Sequence, residues 1–177
     1  MRKTARELLA DAKRTKEETV SLDVEGLFRR MLGGDFNPTQ KAAAWCAEDS
    51  WAYMGPAGCA KTSTIASIGV ARCILHPGYR LLVARHDYND LMGTTALRME
   101  QMLNNLSPSL LVDRNKSAPM RWWIRPAVDG PLSEITFMGL KDGLGSYDWH
   151  GAIVDEADKM GKAAEKSQKG IMSYSKF

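Results

Sequence analysis

The chain is expected to be an α/β domain of three layers, with helices on both faces of a mostly parallel sheet, and three observations carry that expectation. Short apolar runs of strand length recur at Trp51 to Met54, Arg80 to Ala84 and His150 to Val154. Between the first two, Lys61 to Leu75 has helical spacing, and Tyr88 to Leu106 follows the second in the same way, so strand and helix alternate as parallel crossovers require. The first apolar run passes into its helix through a glycine-bearing turn, Gly55 to Gly58. A helical segment over residues 1–35 is expected ahead of a single unit over 36–177.

Composition bounds the class. A chain of 177 residues with 44% hydrophobic and 25% charged residues can bury one core and is not a disordered polymer. The net charge of +3 is too small to point to nucleic acid by itself, although a local basic patch needs no extreme balance. Cys46, Cys59 and Cys73 form no CxxC pair, which argues for reduced thiols and against zinc. No apolar run is long enough for a membrane span, and no secretory leader pattern is present.

Taken in order, residues 1 to about 20 interleave both charge signs around a narrow Leu8, Leu9 and Ala12 stripe and read as a solvated helix. Leu22 to Leu32 predicts a helix burying Leu22, Leu27, Phe28, Met31 and Leu32, stopped by Gly33-Gly34. Asn37-Pro38-Thr39-Gln40 has the form of a helix start, with Asn37 as N-cap, Pro38 at the first helical position and Gln40 closing a capping box; that helix is expected to run through Cys46. In the Lys61 helix Ile65, Ile68, Cys73 and Ile74 face the sheet, and His76-Pro77-Gly78 ends it. Leu91, Leu97, Met99, Met102 and Leu103 mark the apolar face of the Tyr88 helix. Ser107 to Pro119 reads as loop, and Met120 to Pro126 with Glu134 to Met138 as a hairpin around Val128 to Pro131. Gly139 to Gly145 is expected at the surface, and Ile171 to Phe177 is a weak last strand. Trp122, Trp123, Tyr147 and Trp149 are assigned to packing rather than to base stacking.

Gly55-Pro56-Ala57-Gly58-Cys59-Ala60-Lys61-Thr62-Ser63 has the spacing G-x-x-x-x-G-K-[ST] with one departure. That pattern cradles phosphates because loop N–H groups and a helix N-terminus converge, the lysine reaches the outer phosphate oxygens and the hydroxyl ligates Mg²⁺. Ala60 stands where the last glycine belongs, and its methyl group is tolerated if the residue is helical. The bland alternative is a strand-to-helix turn bearing a surface lysine. A second half of such a site comes at the end of the third apolar run, where Asp155-Glu156 would line the crevice at the carboxyl ends of parallel strands. Asp155 suits Mg²⁺, and Glu156 could polarise a water for attack on a terminal phosphate.

The order of features resembles the N-terminal ATPase domain of large terminase subunits, motors that pump DNA into viral procapsids. The likeness rests on Phe36 to Gln40, Gly55 to Ser63, Leu82 to Leu91, Phe137 to Asp142 and Ile153 to Ala157, and it covers about residues 36 to 160. It implies a P-loop ATPase of the additional-strand type, ATP and Mg²⁺ as ligands, double-stranded DNA, portal and small terminase subunit as partners, a homo-oligomeric ring, and the host cytoplasm as location. Gln40 matches the glutamine that contacts adenine in that family. Arg85 matches a position where the family often has a functional arginine, with Arg98 ranked behind it. Many terminases carry an arginine within the loop, where this chain has Ala57.

The family also has a coupling strand between the phosphate-loop strand and the Asp-Glu strand, followed by a nuclease domain. Either the residues after Gly161 fill that slot, or the sheet is incomplete and the chain is a fragment or split product without nuclease activity; the second reading is preferred. Two other readings compete. Asp155-Glu156-Ala157-Asp158 literally matches a DEAD-box helicase, yet no Pro-Thr-Arg-Glu-Leu-like segment follows the second strand. A truncated motor domain could also serve as an interaction module without turnover.

Overall fold

The computed structural model describes residues 23–157 except 49, 51, 57, 116 and 143–147. The charged N-terminal segment, Trp51, Ala57, Tyr147, Asp158 and the candidate last strand lie outside the described residues.

Helix α1, Val24–Leu32, starts at Asp23, whose carboxylate accepts from the Gly26 N–H at 2.9 Å, and ends at Gly33 in the left-handed region with φ 73°. Its apolar face, Leu27, Phe28 and Met31, enters the main core. Helix α2, Pro38–Ala44, carries the full capping box: Asn37 Oδ1 accepts from the Gln40 N–H at 2.9 Å, and Gln40 Oε1 accepts from the Asn37 N–H at 3.0 Å. It stops at Ala44, short of Cys46. Helix α3, Lys61–Leu75, lies close against the sheet because of Gly69, where a Cβ would sit 2.5 Å from Ile153 Cδ1 and 2.8 Å from Leu81 Cδ2.

Strand β1, Arg80–Arg85, runs one residue beyond the predicted strand and leads through Asp87 to helix α4, Tyr88–Leu91. The long helix expected from Tyr88 to Leu106 is interrupted by a π-helical turn at Met92–Ala96 before helix α5, Leu97–Leu106. The wider turn shifts the phase of the apolar face. Leu97, expected in the core, is consequently 49% exposed, while Thr95 and Ala96 are buried.

Strands β2, Leu111–Arg114, and β3, Met120–Ile124, precede β4, Ser133–Gly139, and β5, Gly151–Val154. The β3–β4 hairpin stands where the sequence predicts it, with Trp122 opposite Ile135. Strand β2 falls inside the expected loop. Its residues are mostly exposed and the apolar run Leu110 to Val112 is too short to mark a strand; it pairs antiparallel with β3.

The sheet order is β2-β3-β4-β1-β5. Strand β1 pairs parallel with both β4 and β5, as the crossovers imply, and the antiparallel hairpin strands extend the sheet on the β4 side. Leu81, Val83, Trp122, Ile124, Ile135 and Phe137 form the sheet's share of the main core, together with α1, α2, α3, α4 and α5. The other face bears a small cluster of Leu82, Ala84, Met138 and Trp149 with Leu140 against it. Among the described residues the helical layer therefore covers one face, and residues from the β4–β5 connection cover part of the other.

The segment expected as the phosphate-loop strand forms none over residues 52–54. A strand exists only through its ladder. Among the described residues no strand pairs with β5 on the side away from β1, the slot expected for the coupling strand.

Candidate functional site

The candidate loop from Gly55 enters the N-terminus of α3 through two left-handed residues, Gly58 at φ 83° and Ala60 at φ 60°. The first suits glycine. The second corrects the sequence reading: Ala60 is not helical but occupies the conformation for which the usual glycine is selected, at a strain of about 1–2 kcal/mol for an L-residue. A Cβ on Gly55 would lie 2.6 Å from Cys59 Sγ, so a larger residue there would have to turn the Cys59 side chain aside. Helix α3 has no side-chain N-cap and no acidic residue in its first turn, which leaves its N-terminus electropositive. Lys61 Nζ donates to the loop carbonyls of Gly55 at 2.7 Å and Pro56 at 2.9 Å.

Asp155 and Glu156 follow β5 directly, and the Asp155 N–H donates to Ala84 O at 2.9 Å, extending the ladder to β1. Loop and acids, 93 residues apart, meet where Thr62 Oγ1 lies 3.2 and 3.3 Å from the two Asp155 carboxylate oxygens. Thr95 Oγ1 donates to Asp155 Oδ2 at 2.6 Å. Arg85, at the end of β1, sends one guanidinium nitrogen to Glu156 Oε2 at 2.5 Å and the other to Thr94 Oγ1 at 2.5 Å, the latter lying 3.9 Å from Asp155 Oδ2. Glu156 itself sits at φ 54°, a left-handed conformation uncommon for a side chain of its length. Asp155 and Arg85 are buried, whereas the Glu156 side chain keeps 31% of its surface.

The other predicted residues take up supporting positions. Gln40 is buried with both ends of its amide in use: Oε1 in the capping box, Nε2 donating to Thr64 Oγ1 at 3.0 Å. This ties α2 to α3 just behind the loop. Ser63 Oγ accepts from Arg98 Nε at 3.0 Å, so Arg98 joins α5 to the start of α3. Sequence reasoning missed Thr94, Thr95 and Thr64. The available signal was a pair of hydroxyl residues within an otherwise apolar helical face.

Among the described residues no three His, Cys, Asp or Glu side chains gather as a metal cluster. Mg²⁺ does not require one, since it is commonly held by one or two carboxylates together with substrate phosphates and water. The Thr62 hydroxyl and the Asp155 carboxylate are hard oxygen donors converging beside the phosphate loop, and they fit that ion. Burial raises the Cys73 thiol well above its ordinary pKa, which keeps it protonated and inert. A surface cleft of about 590 Å³, lined by Arg72, His76, Tyr79 and His150 among others, lies at the opposite, N-terminal ends of β1 and β5. A second, of about 250 Å³, is framed by Phe28, Phe36, Lys41 and Trp45 beside α2.

The Gly55–Ser63 loop at the start of α3 and the acidic pair at the carboxyl end of β5 meet beside a sheet with parallel central strands, an arrangement of the α/β class. The fold is that of a terminase ATPase domain. It is shared with the Thermus phage P74-26 large terminase ATPase domain, at a TM-score of 0.56 and 15% identity. A point mutant of that domain superposes at a TM-score of 0.55 with the same identity, and each superposition covers 81% of this chain and 64% of the other. The chain thus spans just under two thirds of that domain's length. No known family profile and no curated protein matches the sequence.

Proposed function

We propose that the chain is an ATP-binding and ATP-hydrolysing domain of a viral DNA-packaging large terminase subunit, which couples hydrolysis to movement of double-stranded DNA into a procapsid. The observation that carries this reading is the Thr62–Asp155 contact, which joins the Gly55–Ser63 segment to the acidic end of β5 across 93 residues of sequence. In this reading Gly55 to Ser63 embraces the phosphates, and an arriving triphosphate takes the place of the Gly55 and Pro56 carbonyls on Lys61 Nζ. Thr62 and Asp155 would hold Mg²⁺, which would supply charge neutralisation. Glu156 orients and polarises the attacking water, and Arg85 fixes the Glu156 carboxylate. Gln40 supports the adenine side through α2. Double-stranded DNA, portal, small terminase subunit and neighbouring copies in a ring are the proposed partners, in the host cytoplasm. No described helix is long and apolar enough to cross a membrane.

Nucleotide binding and ATP turnover, measured with and without double-stranded DNA and structured RNA, test the proposal. Wild type is expected to hydrolyse ATP with DNA stimulation, Lys61→Ala to lose binding, and Glu156→Gln to bind ATP while turnover falls by at least about 100-fold. RNA-selective stimulation would favour the helicase reading, and binding without turnover an interaction module. No nucleotide binding by wild type would overturn the proposal outright.

A further inference from the structure

We propose that the π-helical turn Met92–Ala96 is the positioning device of the acidic pair: Thr95 sets the orientation of Asp155, and Thr94, acting through Arg85, sets that of Glu156. The inference rests on the ATPase reading above and adds to it two residues that no motif marks.

π-helical turns occupy well under 1% of residues in globular proteins and cluster at functional sites, since the inserted residue worsens local helix geometry unless something else holds it. Here two side-chain interactions do so. Thr95 is completely buried, and a buried threonine in a helix ordinarily donates its hydroxyl to the carbonyl one turn back. Thr94 does this, donating to Asp90 O at 2.6 Å, and that leaves its oxygen lone pairs for the Arg85 guanidinium. The Thr95 hydroxyl instead goes to Asp155 Oδ2 at 2.6 Å, within the short range expected when a hydroxyl donates to a carboxylate. In an i→i+5 turn consecutive side chains diverge less than in an α-helix, so Thr94 and Thr95 can serve adjacent partners from one backbone segment.

The result is a carboxylate gripped from two directions. Thr62 reaches Asp155 from the phosphate loop and Thr95 from the π turn, while the Asp155 N–H is fixed on β1. Of the two hydroxyls only Thr62, in the first turn of α3, belongs to the Gly55–Ser63 segment that the proposed function places around a ligand. Thr95 therefore keeps Asp155 in place when Thr62 turns to Mg²⁺. On the other arm Thr94 holds one guanidinium nitrogen, and the second is delivered to Glu156.

The two arms predict different signatures. Binding of a fluorescent N-methylanthraniloyl-ADP is titrated with Mg²⁺, and steady-state ATP hydrolysis is measured on the same variants. Thr95→Val is expected to raise the Mg²⁺ concentration for half-maximal nucleotide binding by about tenfold, leaving Mg²⁺-free binding unchanged, and Thr95→Ser to restore it to within about twofold. Thr94→Val is expected to leave the Mg²⁺ requirement unchanged and to lower kcat by about tenfold at constant KM. A purely structural threonine would shift thermal stability and neither of these. An unchanged Mg²⁺ requirement in Thr95→Val, or no rescue by serine, overturns the Asp155 arm, and an unchanged kcat in Thr94→Val overturns the Glu156 arm. If Thr95→Val loses the wild-type near-UV circular dichroism, Thr95→Cys, a weak donor of similar size, carries the same expectation. Wild type without Mg²⁺-dependent nucleotide binding overturns the ATPase reading together with this one, whereas normal wild-type binding with silent variants overturns this one alone.

Discussion

Strands β4 and β5 flank β1 on opposite sides, both parallel to it, yet they are held by different forces. All of β4 is buried except Glu134, and it pairs again with β3, whose Trp122 packs edge-on against Phe137 with ring centroids 4.6 Å apart. Strand β5 is only half-buried, with Ala152 exposed, and among the described residues it pairs with β1 alone. Its end is secured instead by polar side chains: Thr62 and Thr95 on Asp155, Arg85 on Glu156. The contrast separates two tasks. Apolar burial holds the β4 side without any polar partner that a ligand could displace. On the proposed function the β5 side would admit an anion, a metal ion and water, and its order comes from directional bonds that such a ligand can exchange.

The sharpest way to break this comparison is to weaken each side in turn. Phe137→Ala, which empties a fully buried site beside Trp122, is expected to cost about 3–5 kcal/mol in urea-unfolding free energy. Arg85→Ala is expected to cost less, about 2 kcal/mol, because it strands a buried Asp155 but leaves Glu156 in partial contact with water, which blunts the cost of a fully buried broken pair. On the proposed function its larger effect would be on ATP turnover, expected to fall by at least about tenfold. If Arg85→Ala destabilises the fold more than Phe137→Ala, the division of labour is wrong.

Ala60→Gly removes the left-handed strain in the phosphate loop and is expected to raise stability by about 0.5–1 kcal/mol, read as a higher Tm. A destabilised Ala60→Gly protein would mean that the Ala60 methyl group makes a compensating contact. The smallest effect concerns Asp87, the N-cap of α4. The Lys141 ammonium, then the Asn89 and Asp90 backbone N–H groups, hold its carboxyl below the ordinary aspartate value. A lowered folded-state pKa gives stability that is complete above the unfolded value of about 3.9 and is lost as the pH falls through the lowered one. Asp87→Asn should therefore lower Tm slightly at pH 7, and the gap from wild type should close on acidification below about pH 3.9, as thermal melts across pH would record.

Much of the fold was legible because it is written in local rules. The Asn37–Gln40 capping box, the Gly33 stop and the β3–β4 hairpin need only neighbouring residues, and each stands where the sequence predicts it. The reading failed where a distant partner decides. Strand β2 exists because β3 offers a ladder, and residues 52–54 form no strand because none is offered. Leu97 kept the predicted apolar period but lost its core position to the π turn. At the candidate site Lys61, Thr62, Asp155 and Glu156 were legible from spacing, whereas the partners of Arg85 and the use of Thr94 and Thr95 were not.

The sequence by itself determined the alternation of helix and strand around β1, the Asn37–Gln40 capping box, the Gly33 stop and the β3–β4 hairpin, and it set a glycine-bearing loop ahead of a helix and an acidic pair after a strand, since periodicity, capping and turn chemistry act over a few residues. Only the tertiary structure decided that Ala60 is left-handed, that Arg85 faces Glu156, and that Thr62 and Thr95 converge on Asp155 from either side. Those are contacts between groups up to 93 residues apart, and no local rule specifies which hydroxyl or guanidinium will meet which carboxylate until the sheet and its helices are packed.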